Sequence, residues 1–297
     1  VTAVELPDTA APRPVTVTEP GVYDMPDDAY HADPVPGGSL SSTGARRLLP
    51  PSCPALFAYE RENGQPHREE WDLGKAAHKK VLGVGEEVVI IDAPDWRTKA
   101  ARDARDQAYA EGKVPLLPPD AEVVEAMAAA LQEHPFAGAL LAGPGQPEAS
   151  LFWVDPETRI NCRARLDWLP DPMEGRRLIV PDYKTCRSAA PDELQRAIYT
   201  YGYHQQGAWY RGAVRALGID GDPQFVLIAQ EKTPPYLVTV AQPDPSAMRI
   251  GAHLNREALR VYRECTESGR WPGYTDDVAM ISLPGWVERQ YEMELSQ

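Results

Sequence analysis

After Gly143-Pro144-Gly145 the hydrophobic rhythm of the chain changes from a helical repeat to a strand repeat, and this switch restricts the fold more than any other feature. Upstream, residues 69–82 (EEWDLGKAAHKKVL) set Leu73, Ala76, Ala77, Val81 and Leu82 on one side of a helix. Residues 95–112 and 119–134 are Ala-rich helical patterns, separated by the breaker Val114-Pro115-Leu116-Leu117-Pro118-Pro119. A short helix over Ala45–Leu49 follows the N-cap candidates Ser39-Leu40-Ser41-Ser42-Thr43-Gly44. Downstream, Glu148–Val154, Arg159–Leu169 and Leu178–Lys184 read as three strands, joined by turns at Asp155-Pro156 and Pro170-Asp171-Pro172. A long helix then runs from Asp192 to Leu217 and stops at Gly218. Phe225–Glu231 and Tyr236–Val240 give two more strands, and residues 245–268 a last amphipathic helix. This order predicts an α/β or α+β domain with a mixed central sheet flanked by helices.

No apolar run approaches the ~18 residues of a membrane span, and the N-terminus lacks the basic start and apolar stretch of a secretory signal. The sequence therefore predicts a soluble cytoplasmic protein. Residues 1–20, Pro- and Thr-rich without periodicity, predict a loosely docked or disordered arm, leaving residues 21–297 as one domain. The net charge of −14 argues against a nucleic-acid partner only until its distribution is followed. Residues 1–40 hold seven acids against Arg13 alone, and residues 271–297 hold five against Arg289. The middle is nearly balanced and keeps 28 of the 30 basic groups, which leaves room for a local phosphate-binding groove.

The chemistry concentrates at Asp182-Tyr183-Lys184-Thr185, where an apolar strand ends. A period of two puts Asp182 and Lys184 on one face. Alone this would read as a surface ion pair. Asp167, near the end of the preceding strand, adds a second carboxylate, although the sequence leaves open whether the two acids meet. Carboxylates brought together repel unless a cation sits between them, and oxygen donors of this kind suit Mg²⁺ or Mn²⁺. His78, in the small-residue run Gly74-Lys75-Ala76-Ala77-His78, offers a neutral nitrogen ligand from a helix able to approach the sheet closely. Gln206 and Tyr210, four residues apart, share a helix face from which an amide and a phenol can bond a phosphate or a neighbouring acid. Basic residues gather around these positions: Lys75 and Lys79 beside His78, Arg163 and Arg165 (with Arg159) along one strand face, and Arg187 after the next. They predict a track for DNA phosphates with little sequence reading.

The succession Gly74/His78, Glu148, Asp167, Asp182/Lys184/Thr185 and Gln206/Tyr210 resembles the RecB-like branch of the PD-(D/E)XK nuclease superfamily. The segment upstream of His78 resembles the RecE-type, exonuclease VIII-like phage proteins within it. The resemblance covers roughly residues 21–265 and implies a restriction-endonuclease-like core. It implies that His78, Asp167, Asp182 and the main-chain carbonyl of Tyr183 ligate one or two Mg²⁺ (or Mn²⁺) ions. It further implies that Lys184 orients water or stabilises transition-state charge, that Glu148 holds a second metal or a basic side chain, and that Thr185 lies along the DNA. The activity implied is exonucleolytic resection of linear duplex DNA, 5′→3′, for phage recombination in a bacterial host. The partners implied are duplex DNA ends, further copies of the chain in a ring such as a tetramer, and a single-strand annealing protein. Rival readings are an endonuclease or single-strand nuclease of the same fold, and a catalytically silent DNA-binding protein. Some relatives carry an iron–sulfur cluster, but only Cys53 precedes His78 and only Cys265 lies late in the chain, so no cluster is expected. No Walker-type phosphate loop occurs, so no ATP is expected either.

Overall fold

The computed structural model describes residues 15–64 and 69–295. Most of the arm expected over residues 1–20 lies outside the described residues. Its last part is docked: Val17 is buried among Met25, Tyr30 and Phe152, and its N–H donates to Pro34 O at 2.9 Å.

Strand β1 (Gly21–Tyr23) leads to helix α1 (Asp27–His31), then β2 (Leu40–Ser41) and α2 (Ser42–Arg47). Ser41, one of the predicted caps, accepts the Gly44 N–H at 3.1 Å. Helix α3 (Pro54–Asn63) follows, and a 3-10 turn (Glu69–Trp71) leads into α4 (Asp72–Leu82), which ends at Gly83 in the left-handed conformation. Then come β3 (Val88–Ile90), α5 (Lys99–Ala110), β4 (Val114–Leu116), α6 (Pro118–Glu133) and α7 (Pro135–Ala142). The stretch read as a breaker is thus a strand as well: Val114–Leu116 pairs in parallel with Val88–Ile90 before Pro118 starts α6.

The strands β5 (Gly145–Val154), β6 (Asn161–Pro170) and β7 (Ile179–Cys186) stand where the change of rhythm placed them. Arg159 is not on β6; it lies in the preceding turn at φ +62°. Helices α8 (Pro191–Thr200) and α9 (Tyr203–Ala216) replace the single helix expected over 192–217. Gly202, at φ +71°, breaks it, and Arg46 fixes the break by donating to Tyr201 O at 2.6 Å. Strands β8 (Gln224–Glu231) and β9 (Val238–Ala241), helix α10 (Pro245–Ser268) and helix α11 (Gly285–Leu295) complete the order.

The expected mixed sheet is present in two hydrogen-bonded parts. One has the order β1-β5-β6-β2, antiparallel except for the parallel β2/β6 pair; the other is β7-β8-β9, with β7 and β8 parallel. Strands β6 and β7 run side by side without a backbone ladder between them. Strand periodicity sorts the side chains of β8 onto two faces. Phe225, Leu227 and Ala229 join Trp209, Val214 and Leu259 of α9 and α10, whereas Ile228 joins Met127, Leu131 and Leu141 of α6 and α7. Helices therefore cover both faces, and β6 and β7 meet at a seam without a ladder between them.

Close backbone approach holds α10 on α9. A Cβ at Gly251 would lie 2.2 Å from His204 O, 2.7 Å from its carbonyl carbon and 2.9 Å from Gln205 N, none of which can swing aside. Gly251→Ala is expected to cost about 3 kcal/mol, a Tm loss of roughly 6–12 °C in a thermal melt. An unchanged melt would show that the two helices can part without penalty.

The β5–β6 turn is tied to α10 through Asp155. Its carboxylate accepts the Thr158 N–H at 2.8 Å and hydroxyl at 2.7 Å, and pairs with Arg256 at 2.6 Å. Burial works to raise its pKa, but Thr158 and Arg256 outweigh it and the net shift is downward from 3.8. A carboxyl lowered in the folded state stabilises above its unfolded pKa, and that contribution disappears as pH falls through the folded value. Asp155→Asn should therefore cost about 2–3 kcal/mol at neutral pH, and the gap between its melt and the wild type should close under strongly acidic conditions. A gap independent of pH would take the charge out of the explanation.

Candidate active site

The β5–β6 register pairs Pro147 with Trp168 and Ala149 with Leu166, which sets Glu148 opposite Asp167. That pair is missing from the ladder, and Glu148 sits at φ +51°, a conformation costing a non-glycine residue roughly 1–2 kcal/mol. Two carboxylates facing one another across a strand pair repel. His78, from α4, lies between them: its Nδ1 is 3.2 Å from Glu148 Oε1 and its Nε2 3.2 Å from Asp167 Oδ2.

The small residues before His78 make this approach possible. Ala76 and Ala77 are buried, and a Cβ on Gly74 would stand 3.1 Å from Thr185 Oγ1 on β7. Thr185 thus lies beside α4, along the wall of a 580 Å³ cavity that also includes Trp71, Lys75, His78, Glu148 and Lys184.

Asp167 is the hub of the site. Its Oδ2 accepts the Tyr183 N–H at 2.6 Å, filling the gap where β6 and β7 have no ladder, and stands 3.9 Å from Lys184 Nζ. The acids whose meeting the sequence left open therefore converge through a side chain bonded to the neighbouring strand. Asp182 is fully buried beneath them, with Oδ2 2.8 Å from Lys184 Nζ and Oδ1 accepting from Gln206 Nε2 at 3.1 Å. Gln206 also donates to Tyr210 Oη at 2.8 Å. Tyr210 is buried, so this face of α9 supports Asp182. Tyr183 points to the other side, where its hydroxyl donates to the buried Gln230 at 2.6 Å.

Electrostatics follow from this packing. Burial opposes ionisation of Asp167, but the charges of Lys184 and His78 and the Tyr183 N–H hold its pKa well below the carboxylate range. Burial pushes Asp182 up, against the pull of Lys184. Burial would lower Lys184, yet Asp167 and Asp182 prevail and hold it above the usual lysine value, so it stays an ammonium at neutral pH. Burial likewise disfavours the imidazolium of His78, but Asp167 and Glu148 raise it overall, with Lys184 opposing. Burial, then the charge of Asp167, raises Glu148.

The basic residues are placed less uniformly than their spacing suggests. Arg165 pairs with Glu148, which gives that acid the basic partner expected as one of its two roles. Arg163 pairs with Asp33 at 2.6 Å and donates to Ser39 O at 2.9 Å. Both guanidinium groups lie against the ring of Tyr30, 5.5 and 5.4 Å from its centre. Their charge is thus already compensated, and they brace the site instead of lying open to a phosphate track. Lys75 is shared with Glu86 at 2.7 Å. Lys79 is half-buried on α4, and Arg187 is exposed one residue past β7. Sequence reasoning missed α1, which brings Asp27, Tyr30 and His31 to the rim; its only signal was an aromatic beside two acids.

His78, Glu148 and Asp167 each offer a ligand atom, and these atoms lie within 4.8 Å of one another. An imidazole and carboxylates form a donor set suited to a hard or borderline divalent ion. Asp182, expected as a ligand, lies behind this trio in its pair with Lys184. At the centre stand three carboxylates, Glu148, Asp167 and Asp182, against two permanent cations, Lys184 and Arg165, with His78 able to add a third. With His78 neutral and all three carboxylates ionised, the cluster carries one excess negative charge; a dication would leave one excess positive charge, which an anionic phosphodiester can neutralise.

A search of curated proteins finds no match. A crystal structure of a candidate exonuclease from Eubacterium rectale is similar over 84% of this chain and 92% of its own, with a TM-score of 0.55 and 12% sequence identity. A phage-related exonuclease from Haemophilus somnus is similar over 78% of this chain and 96% of its own, with a TM-score of 0.33 and 10% identity. The model of a PDDEXK-like domain of unknown function, DUF3799, matches residues 61–284, a span that includes His78, Glu148, Asp167, Asp182, Lys184 and Gln206. The chain therefore belongs to the DUF3799 family and carries its PDDEXK-like domain.

Proposed function

We propose that the chain is a Mg²⁺- or Mn²⁺-dependent exodeoxyribonuclease that hydrolyses linear duplex DNA from its ends. The observation that carries this reading is the convergence of His78, Glu148 and Asp167 above the buried Asp182–Lys184 pair. His78, Glu148 and Asp167 would hold the ion, with Asp182 and the Tyr183 carbonyl next in reach. A bound divalent ion supplies polarisation of a phosphoryl oxygen and a more acidic water. Lys184, kept as an ammonium by its two carboxylates, serves as a fixed donor toward the developing oxyanion and not as a general base. Gln206, itself braced by Tyr210, orients Asp182, and Asp182 fixes the Nζ position. Exposed Arg187 and half-buried Lys79 are the residues we assign to DNA phosphates, with Lys75 and Thr185 along the cavity wall. These contacts read no base edges, in keeping with an enzyme that accepts any sequence.

The choice of ends over internal sites, the 5′→3′ polarity and the hand-off of the remaining strand to an annealing protein rest on the RecE-type resemblance. The test uses end-labelled linear duplex and closed circular duplex, each with Mg²⁺ or with EDTA. Mononucleotides released from the linear substrate only, and only with Mg²⁺, are expected. Cleavage of the closed circle would replace the exonuclease with an endonuclease. No cleavage of either substrate would leave a catalytically silent DNA-binding protein.

A further inference from the structure

The corner between α8 and α9 supplies none of the groups described above, yet it borders them. Tyr203, Gln206 and Tyr210 are spaced i, i+3 and i+7 along α9 and share one face of that helix. Gln206 donates to Asp182 at 3.1 Å, which puts the half-buried Tyr203 one helical turn outward from the Asp182–Lys184 pair. The charge of Lys184 reaches the Tyr203 phenol: burial pushes its pKa up to about 12, and Lys184 pulls against that rise.

From Tyr203 an aromatic step leads into solvent. The ring of Tyr201 lies 5.7 Å from that of Tyr203, tilted by 36°, and Tyr201 is 56% exposed. Tyr199 is turned away from this pair and stacks on His204 at 6.4 Å, so it belongs to another surface. The backbone that carries the two tyrosines is fixed. The Tyr201 N–H donates to Ala197 O at 2.8 Å, and its carbonyl accepts from Arg46 at 2.6 Å. A Cβ on Gly202 would stand 2.7 Å from Arg46 Cδ, so the arginine stem runs directly over the corner. Rings held in this way lose little freedom when a ligand stacks on them.

Cations flank the pair. Arg46 is exposed, and Arg187 is exposed three residues beyond Lys184. Neither has an acidic partner among the described residues, in contrast to Arg163 and Arg165. Aromatic faces beside uncompensated guanidinium groups fit a nucleic-acid strand whose bases are unpaired, with phosphates on the cations and bases on the rings. An apolar protein surface laid here would bury both cations without a counter-charge. A paired duplex keeps its base faces inside its own stack.

We propose that Tyr201 and Tyr203 form a stacking platform for the bases next to the scissile phosphate, so that the strand enters this site with those bases unpaired. The platform deepens the nuclease reading and rests on it for the place of that phosphate. It also accepts any sequence, because every base has a face to stack.

The test is the affinity of the full chain for a fluorescein-labelled oligothymidylate about 12 nucleotides long, and for an abasic strand of equal length. Both are measured in EDTA, so that neither is cut. The wild type should bind the thymidylate at least about fivefold more tightly than the abasic strand. Tyr201→Ala and Tyr203→Leu should each lower thymidylate affinity by at least about fivefold and leave abasic affinity at the wild-type value. Tyr201→Phe keeps the ring and should bind as the wild type does. The abasic strand also controls for folding, since a misfolded variant loses both ligands. Equal binding of the two strands by the wild type would overturn the platform. So would thymidylate binding that survives Tyr201→Ala or Tyr203→Leu, or a loss shared equally by the abasic strand. The two readings fail separately: Mg²⁺-dependent cleavage beside equal binding of the two strands keeps the nuclease and removes the platform. Base-dependent binding without cleavage keeps the stacking surface and removes the nuclease.

Discussion

Lys184→Ala should lower the rate of phosphodiester hydrolysis by about 10²–10³-fold, the loss found when a single fixed donor to a developing oxyanion is removed. The ammonium is fixed in place by two carboxylates. Its Nζ is 2.8 Å from Asp182 and 3.9 Å from Asp167, at the edge of the cavity that the expected ligands line. DNA affinity should change little, because the phosphate-facing cations assigned above lie elsewhere. Removing the ammonium also leaves two buried carboxylates with less compensation, so a melt must accompany the kinetics. Lys184→Arg keeps the charge, but its broad planar head does not fit the place of a compact ammonium, and it should restore little activity. Wild-type turnover in folded Lys184→Ala would remove lysine from the mechanism.

Asp167→Asn should have a comparable effect for a different reason. One carboxylate accepts the Tyr183 N–H, meets the His78 imidazole and faces Lys184, and its oxygens are available only because it is ionised. The amide would keep the shape and could still accept from Tyr183, yet it would subtract the negative charge that attracts a dication. Wild-type protein should melt at a higher temperature when Mg²⁺ or Mn²⁺ is added, since a ligand that binds only the folded state stabilises it by about 2.7 kcal/mol at 100 times its dissociation constant. Asp167→Asn should lose that rise, and hydrolysis should fall by about 10²–10³-fold with it. A metal-induced rise equal to that of the wild type would place the ion elsewhere.

Much of this site was legible before any coordinates because its parts sit at local, periodic positions. Asp182 and Lys184 share a face through the period of a strand, and Gln206 and Tyr210 through the turn of a helix. Gly74 marks a close helix approach, which the Thr185 contact bears out. What could not be read depends on pairing between distant segments. Glu148 meets Asp167 through a register running over the whole β5–β6 ladder, and Arg163 and Arg165 look like an open basic track until Asp33, Glu148 and Tyr30 arrive from elsewhere in the chain. Gly202 divides α8 from α9 inside a continuous amphipathic pattern, and the contact that fixes the break comes from Arg46, more than 150 residues away. The parallel β3/β4 pair was hidden by its prolines, since Pro115 reads as a breaker but is tolerated in a short two-stranded edge.

The central claim is that an imidazole and carboxylates at the β6–β7 seam form a site for a divalent ion. Anomalous scattering from crystals grown with Mn²⁺ tests it most directly. One peak is expected within about 2.3 Å of a His78 nitrogen and an Asp167 oxygen, with a Glu148 or Asp182 oxygen completing the shell. A strong peak elsewhere on the protein, or none in this cluster at saturating Mn²⁺, would contradict it.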